Sequence, residues 1–337
     1  MTINLSHSYS IYPCISFMTN LDVVTIGESM VQLTPVRSGL LRHAAQFDRY
    51  VAGAASNVAI GLVRMGHRAG WISRVGADEF GTCIRMNIRG EGVDTTQVME
   101  DEEAPTGVYF KERRRPTHTR VHYYRRESAA SRLVPGDLDA DYIGQAEYLH
   151  LTGITPALSS TCRDTTWEAV RIAQERGVAI SLGPNVRSKL WSKEEARTVL
   201  EELIPNVHTL LLGREEAVLL SGESNPVAGA RKLMEKGPSE VVVRLEEEGA
   251  CSIGPGGDPL REEAISVDAV EVVGAGDVFN AGYLAGRLRG WQRERALRLG
   301  NVLGGLATTV LGDVEGIPPW NDVQSILEES DTEVHDR

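Results

Sequence analysis

The chain has 337 residues, with 35 Lys plus Arg against 47 Asp plus Glu for a formal net charge of −12, and 42% of it is hydrophobic. That apolar content suffices for a substantial core in one large α/β domain or two smaller ones, and the acidic balance argues against a general nucleic-acid or anionic-membrane binder. Cys14, Cys83, Cys162 and Cys251 lie far apart with no CxxC or Cys/His spacing, so neither a zinc site nor a disulfide framework is indicated and a reducing cytoplasm is the expected home.

Residues 1–20 have no basic start and only a broken apolar run, so a signal peptide is not expected; a disordered extension is, with Met18 as a second candidate start. VVTIGE (23–28) reads as a buried first strand, AASNVAIGLVRMG (54–66) as a helix stopped at Gly66, and GWISRVG (70–76) as a strand. A second helix precedes GVD (92–94). YLHLTGI, VAISLGPN, TLLLG and EVVVRL then alternate with helices, including one from about Lys193 and one near Ala228 to Lys236. This rhythm predicts a mostly parallel sheet with helices on both faces, which binds ligands beyond the carboxyl ends of its strands. Two stretches break it: 30–53 and 106–128 carry short alternating β patterns without helices, as expected of a small antiparallel β lid. The basic cluster Lys111, Arg113, Arg114, Arg115, Arg120, Arg125 and Arg126 lies there, as a solvated face or a site for a small anion. One domain over 21–325 is expected, with a flexible C-terminal tail at 326–337, and no segment is long and apolar enough to span a bilayer.

VEVVGAGDVFNAGYL (270–284) joins a β-branched run, expected to end a strand, to a helix through two glycines and an aspartate. A helix start offers free N–H groups and the positive end of the dipole to an anion. Asp277 is out of place beside a phosphate unless it handles a proton, by accepting one from a hydroxyl that attacks a phosphoryl group. The competing account is a first-turn aspartate favoured by the dipole, with the glycines as turn chemistry.

From about Val23 to Trp320 the chain resembles the ribokinase-like (PfkB) sugar kinases. VAGAASNVAIGLVRMG (51–66) and VGAGDVFNAGYLAG (273–286) match the two family motifs, about 220 residues apart. GVYFKE, VHYYRRESAAS, YLHLTGITPALS, NVRSKLWS and GDVEGIP are most similar to the 2-keto-3-deoxygluconate kinase group. The resemblance implies a three-layer α/β/α fold with a β lid, ATP and Mg2+ as cofactors, and a homodimer or larger assembly through the lid. By the same resemblance Asp277 is the base, and the amides of Gly274, Ala275 and Gly276 form the anion hole. Gly53 and Asn57 would approach sugar hydroxyls, while Tyr109, Tyr123, Arg125 and Arg187 would hold an open-chain acid sugar, an arginine gripping its carboxylate through two hydrogen bonds. Gly249, Gly274, Gly276 and Asn301 would meet the nucleotide, and Glu216 would organise magnesium through water.

The chain departs from the family pattern at Ala52, Gly183, Gly213, Glu246 and Glu271 to Val273. The last three stand where the family shapes a monovalent-cation site, which puts potassium activation in doubt. A neutral-sugar kinase and a weakly active sugar-acid sensor on the same fold remain alternatives. A nicotinamide enzyme is disfavoured, because the first strand ends in GESMVQL without G-x-G-x-x-G.

Overall fold

The computed structural model describes residues 21–115 and 118–335, so the N-terminal extension expected at 1–20 lies outside the described residues. Strands β1 (Val23–Ile26), β2 (Met30–Pro35), β3 (Phe47–Ala52), β4 (Ala69–Gly76), β5 (Val98–Asp101), β6 (Val108–Arg115) and β7 (His118–Tyr124) come from the first part of the chain. The rest supplies β8 (Tyr148–Thr152), β9 (Ala179–Gly183), β10 (Thr209–Gly213), β11 (Glu240–Arg244), β12 (Ala250–Ile253) and β13 (Leu260–Glu262). They form a nine-stranded sheet in the order β13-β12-β11-β10-β9-β8-β1-β4-β5 and a four-stranded sheet in the order β3-β2-β6-β7.

The large sheet is parallel except at β12 and β13, as its runs of apolar residues require: Leu210 and Leu212 pack on one face and Leu211 on the other, and Val241 and Val243 oppose Val242 in the same way. Such strands are buried on both sides by helices, which is why they do not alternate with polar residues. Truncating a fully buried residue such as Leu211 to Ala costs about 2–5 kcal/mol. Helix Ala54–Arg64 stops where expected, with Gly66 at φ 82° and the His67 N–H bonded back to Leu62 O at 3.0 Å.

The lid is the small sheet. Its hairpins β2–β3 and β6–β7 are each antiparallel, and β2 joins β6 in parallel, so the two broken stretches pair with one another. Two expectations need correction. No strand precedes the GAGD turn: residues 263–273 are irregular, Val270 and Val272 are exposed, and the N–H groups of Val270 and Glu271 both go to Thr308 O rather than to a neighbouring strand. β-branched residues form strands only where a sheet edge receives them. Of the flexible tail expected at 326–337, residues 326–335 instead continue helix Trp320–His335, in which Val323 and Leu327 are buried in the core, and 336–337 lie outside the described residues. Among the described residues no helix is long and apolar enough to cross a membrane.

Candidate active site

Helix Ala275–Leu288 starts at Gly274, whose φ of 91° is left-handed. A Cβ there would also stand 2.8 Å from the Asp313 backbone, so conformation and space both demand glycine. Gly274 O accepts the N–H groups of Asp277 and Val278 at 3.0 and 3.1 Å. The Ala275 and Gly276 amides, in the same first turn, are among the orphan donors that any helix start leaves.

Asp277, half-buried in that first turn, is held by two side-chain amides: Asn57 Nδ2 donates to Oδ2 and Asn185 Nδ2 to Oδ1, each at 3.1 Å. Burial pushes its pKa up to about 6, and Asp313 adds to the rise; Arg187, the Asn57 hydrogen bond and Arg244 oppose it. A carboxylate so poised is still mostly ionised near neutrality and close enough to it to exchange a proton. Asn57 is buried on helix Ala54–Arg64, where its Oδ1 accepts the Gly53 N–H at 3.3 Å. Gly53 fits because a Cβ there would stand 2.3 Å from Glu28 O.

The lid closes the other wall. Gly53, Tyr109, Tyr123, Arg125, Arg187, Gly274 and Asp277 line one cleft together with Glu28 and Asp313. Tyr109 is buried and its hydroxyl donates to Gln32 Oε1; its ring lies 5.5 Å from that of Tyr123, and Arg125 stacks over the same Tyr123 ring. Arg125 also pairs with Glu28, a fully buried carboxylate whose Oε1 accepts from Ser128 Oγ at 2.5 Å. Its charge is therefore already matched. Arg187 is exposed and its charge acts on Asp277.

Away from the cleft, Asn301 is buried and donates to Glu262 O and Glu263 O at 3.0 and 2.9 Å, and Gly249 packs on the same segment, where a Cβ would stand 2.0 Å from Glu262 O. Both residues buttress the 262–264 segment. Glu246 takes φ 60°, a conformation that favours the glycine it replaces. Glu216 Oε1 accepts the Val186 N–H at 2.9 Å, and Oε2 accepts the Gly213 N–H at 2.7 Å with Arg244 Nη2 3.7 Å away. No group of three or more His, Cys, Asp or Glu residues is placed to hold a metal among the described residues. Glu216 fits magnesium only through water, by the lone pairs its amide partners leave free.

Glu28, Lys111, Asn185, Arg244 and Asp313 were missed in the sequence as members of the site. Asn185 and Asp313 fall inside NVRSKLWS and GDVEGIP, which carried the resemblance, but nothing in those motifs told that both side chains face Asp277 or its partner Asn57.

The profile of the pfkB family carbohydrate kinases matches residues 20–320. The 2-dehydro-3-deoxygluconokinase of Bacillus subtilis (strain 168) is 37% identical over 91% of this chain and 95% of its own length. The 2-dehydro-3-deoxygalactonokinase of Haloferax volcanii is 33% identical over 92% and 98%. Among solved structures, a ribokinase II of E. coli in complex with ATP and Mg2+ superposes with a TM-score of 0.86 at 26% identity, covering 92% of this chain and 99% of that one. The family profile and these relatives each span about nine-tenths of the chain, site residues included, and the chain belongs to the pfkB family of carbohydrate kinases.

Proposed function

We propose that this kinase phosphorylates the terminal hydroxyl of 2-keto-3-deoxygluconate, or a close sugar acid, with ATP. The observation that carries the proposal is Asp277 itself: a carboxylate near pKa 6, clamped by Asn57 and Asn185 beside the Gly274 turn, in one cleft with Arg187. The related 2-dehydro-3-deoxygluconokinase and 2-dehydro-3-deoxygalactonokinase are named for ketodeoxy acids and support the substrate class.

Asp277 takes the proton of the sugar hydroxyl as its oxygen bonds to the γ-phosphorus; the bond to the β–γ bridging oxygen breaks and ADP leaves. The Gly274, Ala275 and Gly276 amides stabilise the charge gathering on the transferred group. Arg187, exposed and without an ion pair among the described residues, takes the sugar's carboxylate, and Arg125, neutralised by Glu28, braces Tyr123. The lid excludes water, the competing acceptor. Glu216 would hold magnesium through water, and the ion would supply positive charge to offset that of the phosphates. Glu271 faces the Lys111 ammonium at 3.8 Å, so a potassium requirement is not part of this reading. A cytoplasmic homodimer joined through the lid completes it, supported by the exposed Phe47 and Tyr124 there.

A neutral acceptor is the competing reading, and Glu28 favours it by cancelling the charge of Arg125. Coupled ADP release against 2-keto-3-deoxygluconate, its galacto epimer, fructose, ribose and adenosine separates the two. Turnover confined to the ketodeoxy acids supports the proposal, turnover with fructose or ribose sinks the substrate class, and binding of the acids without turnover points to a sensor.

A further inference from the structure

Lys111 belongs to a basic run on a lid strand, β6, yet it is only 1% exposed. A buried ammonium needs close partners, since its desolvation costs several kcal/mol. It has two, and neither is on the lid: Nζ donates to Asp313 Oδ1 at 3.0 Å and lies 3.8 Å from Glu271 Oε2. Glu271 sits three residues before Gly274, and Asp313 packs against Gly274 itself. Asp313 also accepts at 3.2 Å from Asn57 Nδ2, the same amide that serves Asp277. Two carboxylates therefore draw on one amide, and the lid lysine supplies the positive charge to the one that is not in the GAGD turn.

We propose that Lys111 is a positioning residue for phosphoryl transfer: carried in by the lid, its ammonium offsets the charge of Asp313, so that Asp277 stays ionised and ready for the sugar's proton to lower pH with the lid in place than without it. The inference rests on the reading of Asp277 as the base. Asp277 is faced by Arg187 from the segment after β9, Arg244 from the end of β11, and Asp313; besides burial, Asp313 is the group that works against its ionised form. Asp313 is faced by Lys111 from β6, with Glu271 beside the same ammonium and Glu315 and the Tyr109 hydroxyl within its field. With Lys111 withdrawn, Asp313 and Glu271 lose the positive charge beside them, and their field favours the protonated form of Asp277. A closed lid thus strengthens the ionised form of the base, and an open one, where water would be the acceptor, weakens it.

The test is the pH profile of kcat/KM for the ketodeoxy acid in wild type, Lys111→Met, the double variant Lys111→Met/Asp313→Asn, and Asp277→Asn. The expected result is that Lys111→Met moves the acid limb up by about one pH unit, the scale of losing one nearby charge, and that the added Asp313→Asn moves it back and restores thermal stability. An acid limb that stays in place while activity falls equally at every pH would overturn the proposal, as would a double variant that recovers stability without recovering the limb. Failure of the underlying reading looks different, because Asp277→Asn would then retain turnover.

Discussion

Asn57 and Asp277, 220 residues apart in sequence, meet through a 3.1 Å hydrogen bond from the Asn57 amide to the carboxylate of the GAGD turn. One side chain thereby ties the helix after β3, which carries the lid's return into the core domain, to the helix that starts at the anion hole. The same amide reaches Asp313, and its carbonyl oxygen holds the Gly53 N–H. Asn57→Ala removes all three contacts at once. It is expected to cost about 1–3 kcal/mol of stability, the scale of buried polar groups left unpaired, and to lower kcat at least tenfold; thermal unfolding and initial rates measured on the same preparation check both.

Asp277 stores a cost that a variant should release. Its folded pKa of about 6 lies above the ordinary 3.8, so its contribution to stability is fully present below pH 3.8 and is lost as pH rises through 6. Asp277→Asn escapes that loss. Its partial exposure reduces the effect to about 2 kcal/mol, so the variant should be more stable than wild type by that amount at pH 7.5. The gain should vanish near pH 4, and denaturant titrations at the two pH values make the comparison.

His150 on β8 gives the opposite slope. It is fully buried, its Nδ1 lies 2.9 Å from Ser181 Oγ, and burial, aided by the Arg244 charge, pushes its pKa down to about 3 from 6.5. Its contribution is therefore present above pH 6.5 and is lost as pH falls toward 3, at up to about 1.4 kcal/mol per pH unit. A His150→Gln variant should be somewhat less stable at pH 7 yet show a flatter decline between pH 6 and 4. Unfolding free energies across that window would reveal it.

The two cleft arginines should separate cleanly. Arg187→Ala is expected to raise KM for the ketodeoxy acid tenfold or more with little change in stability, since the lost contact is to substrate. Arg125→Ala leaves Glu28 buried and unpaired, at about 3–5 kcal/mol. Arg125→Met/Glu28→Gln should recover much of that stability, and Tm values for the three variants test the assignment.

These outcomes follow from pairings that one-dimensional reading does not reach. The sheet was legible because β10 and β11 are short apolar runs bounded by turns, and the cleft because Gly53, Asn57, Tyr109, Tyr123, Arg187 and the GAGD turn sit in motifs with a shape of their own. Charge partners carry no such mark. Glu28 and Arg125 are 97 positions apart (125 minus 28), and Lys111 and Asp313 lie 202 apart, so the lysine reads as one of a solvated basic run until the fold buries it. Val270 to Val273 read as a strand from propensity alone, but no open strand edge receives them. The helix through His335 was missed because the stretch after Leu327 runs polar and acidic to Glu333, although Trp320, Val323 and Leu327 keep helical spacing before it.

The most direct test of the account follows the γ-phosphoryl group. Wild type and Asp277→Asn are each given γ-labelled ATP, magnesium and 2-keto-3-deoxygluconate, and the label is traced. The account predicts label in a phosphate ester of the acid's terminal hydroxyl with wild type, and about 10²–10⁴-fold slower transfer with Asp277→Asn at similar KM, the usual worth of a positioned base. Equal transfer by the two proteins, or label found only in inorganic phosphate, would contradict it.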